Sequence, residues 1–239
     1  MEKLKSLNKI SVVGDSILKG VIYDEVAGRY KFLKQSAVSA FEKINQIAVI
    51  NYSKFGSTVS KGMEKLNKFI VKGTDDSEVV LIEFGGNDCD FDWDKIFLNP
   101  FQNHYPNTSY SKFIETISDM IESVLSVGKT PVLMNLPPID ADRYFNWIVK
   151  GDENKAELLL KFLGDKNFIY RHQELYSRAI EHIAKIKDIY VINVRDKFLS
   201  IPRYSDYLCA DGIHPNEKGQ EVIKTAFLNA YKERVLLNI

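Results

Sequence analysis

KISVVGDS, residues 9 to 16, is apolar almost without interruption from Ile10 to Val13 and then stops at a glycine, an aspartate and a serine. A strand with one wet face alternates apolar and polar residues, whereas a strand covered on both faces has no reason to. KISVVGDS therefore reads as a strand of a covered parallel sheet. Four more stretches share its character: IAVINYSKFG (47–56), EVVLIEFGGND (78–88), TPVLMNLPPID (130–140) and IYVINVRD (189–196). Between them lie STVSKGMEKLNKFIV from Ser57, SYSKFIETISDMIESVLSVG from Ser109 and RHQELYSRAIEHIAKI from Arg171, each with apolar residues three and four apart, the spacing of an amphipathic helix. A last helix is expected to start with Asn216 as N-cap and to run through EKGQEVIKTAFLNAYKERV. Strand and helix alternate, and right-handed crossovers then give a three-layer α/β/α fold around a five-stranded parallel sheet.

One such sheet uses the whole chain. No linker, internal repeat or low-complexity segment interrupts it, so residues 1–239 are expected to form a single domain. Three stretches break the rhythm: YDEVAGRYKFL (23–33), which is open to a hairpin, Cys89 to Asn107, and the aromatic DADRYFNWIVKGDENK (140–155), both read as irregular.

Composition narrows the function. Lys+Arg and Asp+Glu both number 32, so no global field draws the chain to nucleic acid or to an anionic membrane. The basic run RYKFLK (29–34) reads as a solvated face rather than a phosphate-binding stripe. The N-terminus begins with lysines as an export signal does, but its apolar run from Ile10 to Val13 is far shorter than the ~7–15 residues such a signal needs. No run approaches the ~18 apolar residues of a membrane span. With only Cys89 and Cys209 besides, the expected location is the reducing cytoplasm.

In open parallel sheets the ligand crevice lies at the carboxyl ends of the strands, and here three of those ends carry chemistry. The first ends in Gly14-Asp15-Ser16, the second runs out to Gly56, and the third ends in Gly85-Gly86-Asn87-Asp88. A serine just past a buried strand, beside a glycine that permits a tight turn, presents its hydroxyl to the crevice. Ser16 is the candidate nucleophile. Its base is expected from ADGIHPNEKG (210–219), where Asp211 and His214 stand three positions apart and the acid can fix the tautomer of the imidazole. The Asn87 amide and the backbone N–H groups of Gly56 and Ser16 are the candidate oxyanion donors.

Singly, each piece has a plainer use: a serine there caps a helix, a glycine makes a turn, GGND makes a hairpin turn, and a histidine ahead of a helix sits on the surface. Jointly and in this order the blocks Gly14-Asp15-Ser16, Gly56, Gly86-Asn87-Asp88 and Asp211-x-x-His214-Pro215 resemble the GDSL or SGNH hydrolases, serine esterases and lipases of flavodoxin-like α/β fold. The resemblance covers the whole chain. It implies Ser16 as nucleophile, His214 and Asp211 as its triad partners, and Ser16, Gly56 and Asn87 as the oxyanion hole, with Asp15 stabilising the turn. It implies acyl transfer to water through a covalent intermediate, on a small-molecule ester, with no metal and no cofactor. One departure, Ile-Leu-Lys-Gly at 17–20 after the nucleophile, bears on the pocket wall rather than on the chemistry.

Two other classes compete. VGKT (127–130) looks like the end of a phosphate-binding loop, but Ser123 stands where its first glycine belongs and the stretch precedes a strand instead of following one, which argues against a nucleotide-binding protein. A catalytically inactive binding module on the same fold is the other alternative, against which the full set of catalytic side chains speaks. His104, His172 and His182 lack metal-ligand spacing, and the last two lie on helix patterns as surface or packing residues. Cys89 and Cys209 read as free buried thiols. Glu83 interrupts an apolar strand, as a hydrogen-bonded support or one half of a strand-end ion pair. Phe91, Trp93, Phe97, Tyr105, Tyr144, Phe145 and Trp147 are open to three uses: an acyl pocket, a sugar platform, or lid and core packing. The lean is toward small soluble esters, acetylated sugars included. Oligomeric state leaves no trace in the sequence.

Overall fold

A computed structural model describes residues 7–236 of the chain. Its strands are β1 (Lys9–Val13), β2 (Val21–Asp24), β3 (Arg29–Phe32), β4 (Ala48–Asn51), β5 (Val79–Ile82), β6 (Thr130–Met134) and β7 (Val191–Ile192). Its α-helices are α1 (Ser16–Lys19), α2 (Ala37–Asn45), α3 (Val59–Lys65), α4 (Trp93–Leu98), α5 (Tyr110–Ser126), α6 (Ala141–Val149), α7 (Glu153–Leu163), α8 (Asn167–Lys187), α9 (Val194–Leu199) and α10 (Glu217–Leu236). The main sheet has five strands in the order β4-β1-β5-β6-β7, every neighbouring pair parallel.

The uninterrupted apolar runs have the cause the sequence suggested. Because side chains alternate across a strand, Val13, Val80, Ile82 and Leu133 face one helical layer and Val12, Leu81, Val132 and Met134 the other. The first layer is α3 with its π-helical continuation Leu66–Val71, α5 and α8; the second is α1, α2, α9 and α10. Fully burying each such aliphatic side chain contributes about 1.5–3 kcal/mol, so both faces must stay covered. A third cluster, built on Phe91, Ile96, Tyr144, Leu159 and Ile169, joins α4, α6 and α7 to the start of α8 beyond the strand ends.

The sequence reading departs from the fold in places. DADRYFNWIVKGDENK is not irregular: Asp140 accepts from the Arg143 N–H at 3.0 Å and Asp152 from the Lys155 N–H at 3.1 Å, so two side-chain caps start α6 and α7. Cys89 to Asn107 contains the short α4. Helix α8 begins at Asn167, four residues before Arg171, and α2 carries the crossover from β1 to β4. YDEVAGRYKFL does form a hairpin, β2 and β3, with Tyr23 opposite Tyr30.

Two contacts bring the chain's distant parts together. The Tyr23 N–H donates to Cys209 Sγ at 3.4 Å, tying the hairpin to the loop before α10. Gln220 of α10, 2% exposed, accepts from the Ala37 N–H at 2.9 Å and donates to the Ile17 carbonyl at 3.2 Å, binding the last helix to α1 and α2. Among the described residues no helix is long and apolar enough to cross a membrane.

Candidate active site

Ser16 is the first residue of α1, directly beyond β1. Asp15 is its N-cap, and Asp15 Oδ1 accepts from the Ile17 N–H at 2.8 Å, which fixes the turn that aims the serine outward. Some 198 residues later, His214 Nε2 lies 2.9 Å from Ser16 Oγ, and His214 Nδ1 lies 2.6 Å from Asp211 Oδ2. With a carboxylate at Nδ1 the proton sits there, leaving Nε2 to accept from the serine hydroxyl.

The loop that carries the pair is tightly held. The Cys209 N–H donates to the His214 carbonyl at 2.8 Å, Leu208 bridges Pro215, and the Asn216 amide donates to the Asp206 and Leu208 carbonyls at 3.0 Å each. Asn216 Oδ1 also caps α10 through the Lys218 and Gly219 N–H groups, as its position in the sequence suggested. Asp211 is wholly buried; burial raises its pKa, but bonds from His214 and from the Ile213 and His214 N–H groups outweigh this and hold it below the ordinary carboxylate value.

The three candidate oxyanion donors line the same cavity as Ser16 and His214. Gly56 has φ +68°, a conformation glycine adopts without strain. Among the described residues the Ser16 and Gly56 N–H groups have no hydrogen-bond partner. Asn87 differs: its Nδ2 donates to Asp15 Oδ2 at 3.0 Å and to the Ser57 carbonyl at 3.2 Å. The amide is thereby fixed against the turn that carries Ser16, and both of these bonds are made within the fold.

Below the turn lies a group of buried acids. Asp88 accepts from the Val59 N–H at 3.0 Å and from Thr108 Oγ1 at 2.5 Å, capping α3 from the end of β5, and burial pushes it up to about 6. Glu83 is 1% exposed; Oε2 accepts only a long 3.4 Å bond from the Asp15 N–H, and Oε1 has no hydrogen-bond partner among the described residues. Burial, then the charge of Asp15, pushes the Glu83 carboxyl well above its usual range. Burial likewise raises Asp15. Of the two uses foreseen for Glu83, neither an ion pair nor a well-satisfied support describes it among the described residues.

The cavity over Ser16 has a volume of about 530 Å³. Phe91, Trp93, Phe97, Tyr144 and Trp147 line it, whereas Phe145 is core and Tyr105 is 75% exposed. Polar groups enter from the same wall: Tyr144 Oη donates to Asp90 Oδ2 at 2.8 Å and receives Trp93 Nε1 at 3.2 Å. His172 also lines the cavity, stacked on Phe168 with centroids 5.3 Å apart, and burial lowers its pKa. Cys89 reaches the wall, while Cys209 belongs to the loop that carries Asp211 and His214; both are free and buried.

Tyr30, which sequence reasoning passed over inside a basic run, stands in the site. Its Oη lies 3.1 Å from Asp211 Oδ2 and its ring packs against His214 and Phe55 at 5.2 Å each. No local signal marks it, because its partner is 181 residues away.

The family described as GDSL-like Lipase/Acylhydrolase matches this chain over residues 12–222. A lipase/acylhydrolase from Enterococcus faecalis superposes with TM-score 0.68 at 20% identity, over 95% of this chain and 97% of that one. An acetyl xylan esterase from Geobacillus stearothermophilus superposes with TM-score 0.65 at 19% identity, over 93% of each chain. A member of the lipolytic G-D-S-L family from Veillonella parvula gives TM-score 0.62 at 17% identity, over 94% of this chain and 98% of that one. At these identities the likeness is one of fold. A comparison with curated protein sequences finds no match.

Proposed function

The chain belongs to the GDSL-like lipase/acylhydrolase family and is a carboxylic ester hydrolase, and from that premise we propose that it is a serine hydrolase working through Ser16, His214 and Asp211. The observation that carries this reading is the continuous hydrogen-bonded line from Ser16 Oγ through His214 to Asp211 Oδ2, with steps of 2.9 and 2.6 Å. His214 Nε2 takes the hydroxyl proton as Ser16 Oγ attacks the ester carbon, and Asp211 stabilises the imidazolium that forms. Negative charge gathers on the carbonyl oxygen, where the unpaired N–H groups of Ser16 and Gly56 receive it, joined by Asn87 as its amide turns from the Ser57 carbonyl. The imidazolium returns its proton to the departing alcohol, leaving an acyl-serine. Water, deprotonated by His214, then releases the acid and restores Ser16.

For the substrate we propose small soluble esters, acetylated sugars among them. Supporting this, Trp93 and Trp147 offer flat apolar faces while Asp90 and Lys155 bring polar groups to the same cavity, the mixture a hydroxyl-rich ester requires. The fold is also that of an acetyl xylan esterase. The five-stranded main sheet, with strands drawn from Lys9 to Ile192, supports one catalytic domain, and two free buried thiols fit a cytoplasmic, reducing setting.

The test is Ser16→Ala. Hydrolysis of p-nitrophenyl acetate is expected to fall by about 10⁴-fold or more, and labelling by a fluorophosphonate to vanish. A variant that still labels at the wild-type rate removes Ser16 from this role. Acetylated sugars against p-nitrophenyl esters of rising chain length decide the substrate class, with kcat/KM expected to fall as the acyl chain grows.

A further inference from the structure

We propose that Tyr30 is a positioning residue that sets the proton affinity of the catalytic histidine through Asp211. The inference rests on the triad reading given above. Asp211 accepts four hydrogen bonds: Oδ1 takes the Ile213 and His214 N–H groups at 3.0 and 3.1 Å, and Oδ2 takes His214 Nδ1 at 2.6 Å and Tyr30 Oη at 3.1 Å. The backbone pair orients the carboxylate and helps to hold its charge from Oδ1. The imidazole and the phenol compete for the same oxygen, so charge drawn toward Tyr30 is charge withheld from His214.

Three features suit Tyr30 to this task. It comes from the β2–β3 hairpin, outside the main sheet, and that hairpin is anchored to the triad loop by the Tyr23 N–H bond to Cys209 Sγ. Its ring, flanked by Phe55 and Trp147, lies against the imidazole and limits the ring's rotation. Burial, and then the charge of Asp211, raises the Tyr30 phenol above its ordinary value, so it remains a donor wherever the enzyme works.

The expected sign follows from the groups that face the imidazole: Asp211 at Nδ1, Ser16 at Nε2, the charge of Asp15 behind the nucleophile, and the Tyr30 and Phe55 rings. Cys209 and Tyr23 stand nearest on the far side of Asp211 and Tyr30, and the Cys209 thiol is pushed up to about 11 by burial, so it stays neutral. Removing the phenol oxygen returns negative charge to Oδ2 and favours the imidazolium. The enzyme then needs a higher pH before its base is free.

The experiment compares wild type, Tyr30→Phe and Tyr23→Phe in kcat/KM against pH with p-nitrophenyl acetate, together with the downfield proton resonance of His214 Nδ1–H. Tyr30→Phe keeps the ring and its packing; its acid limb is expected to move to higher pH by roughly half a unit, with the resonance shifting further downfield. Tyr23→Phe, on the same hairpin, is expected to leave both in place. An unmoved limb in Tyr30→Phe overturns the proposal, whether or not kcat falls, and so does an equal shift in Tyr23→Phe, which would assign the effect to hairpin packing. A failure of the triad itself is separate, since it appears as hydrolysis by Ser16→Ala whatever Tyr30→Phe does.

Discussion

Asp75 and Glu83 are buried carboxyls at opposite ends of the same sheet, and they are treated in opposite ways. Asp75, its side chain wholly buried, lies at the amino edge and accepts from Ser11 Oγ at 2.6 Å, Tyr52 Oη at 2.9 Å and the Ser77 N–H at 2.9 Å, with Lys129 Nζ 3.5 Å away. Burial works against its ionisation, but these donors prevail and hold it at about 2. Glu83, at the carboxyl edge, meets one long bond and the charge of Asp15, and is driven upward. Burial is common to both, so the supply of donors decides the outcome. The Asp75 carboxylate is satisfied; at the carboxyl edge, among the described residues, Glu83 Oε1 is an acceptor without a donor and the Ser16 and Gly56 N–H groups are donors without acceptors. Proteins tolerate such local inconsistency where it serves function, and in the proposed mechanism the oxyanion supplies the missing acceptor.

The sharpest way to break this contrast is at Asn87, where the two demands meet. If its amide donates to the developing oxyanion, Asn87→Ala lowers kcat by ~10²–10³ with KM little changed. Because the same amide binds Asp15 and the Ser57 carbonyl, the melting midpoint is expected to fall as well, by the loss of bonds each worth about 0.5–1.5 kcal/mol. A less stable protein whose folded fraction keeps wild-type kcat would confine Asn87 to the turn.

At the amino edge the expected effect is on stability alone. Asp75→Ala leaves Ser11 Oγ, Tyr52 Oη and the Ser77 N–H without their acceptor, while Lys129 Nζ keeps the backbone carbonyls of residues 75 and 77, and it is expected to cost about 3 kcal/mol in denaturant unfolding with kcat unchanged. Since the folded pKa of Asp75 lies below its ordinary 3.8, its contribution is present above that pH and disappears as the pH falls through about 2. The gap between wild type and Asp75→Ala should therefore narrow on acidification. A gap constant from neutrality to pH 2 would contradict the assignment.

Glu83→Gln should do least. Glutamine copies the shape and donor of a protonated carboxyl, so the change at slightly acidic pH is expected within about 1 kcal/mol. The pH dependence has the reverse sign: a raised carboxyl gives stability that is complete below its ordinary 4.5 and is lost as the pH climbs through the folded value. Wild type should thus lose ground to Glu83→Gln as pH rises, by at most about 1.4 kcal/mol per unit. Parallel stability curves for the two proteins would show that Glu83 is ionised in the fold.

The strands and the four blocks were legible because their signals are local: uninterrupted apolar residues where both faces are covered, and glycines with polar residues where a strand ends. Helix α6 escaped because Tyr144, Phe145 and Trp147 blur its apolar stripe, although Asp140 and Asp152 were visible capping signals for α6 and α7. Glu83 was conspicuous as an interruption, but whether a cation faced it depends on which elements pack around it. Tyr30 was out of reach for a different reason. Its place was hidden by a run of basic neighbours on a solvated strand, and only the closure of the hairpin onto the loop at 208–216 turns it toward an acid.

The reach from Ser16 to His214, with Gln220 bolting α10 onto α1 and α2, also orders events in time. In the proposed triad a growing chain presents Ser16 soon after β1 is made, but its base arrives only when residues 211–220 have emerged and docked. Closing so long a loop is among the slowest contacts the fold must make. With the proposed triad, turnover begins only once this docking is complete, and its onset serves as a clock for that step.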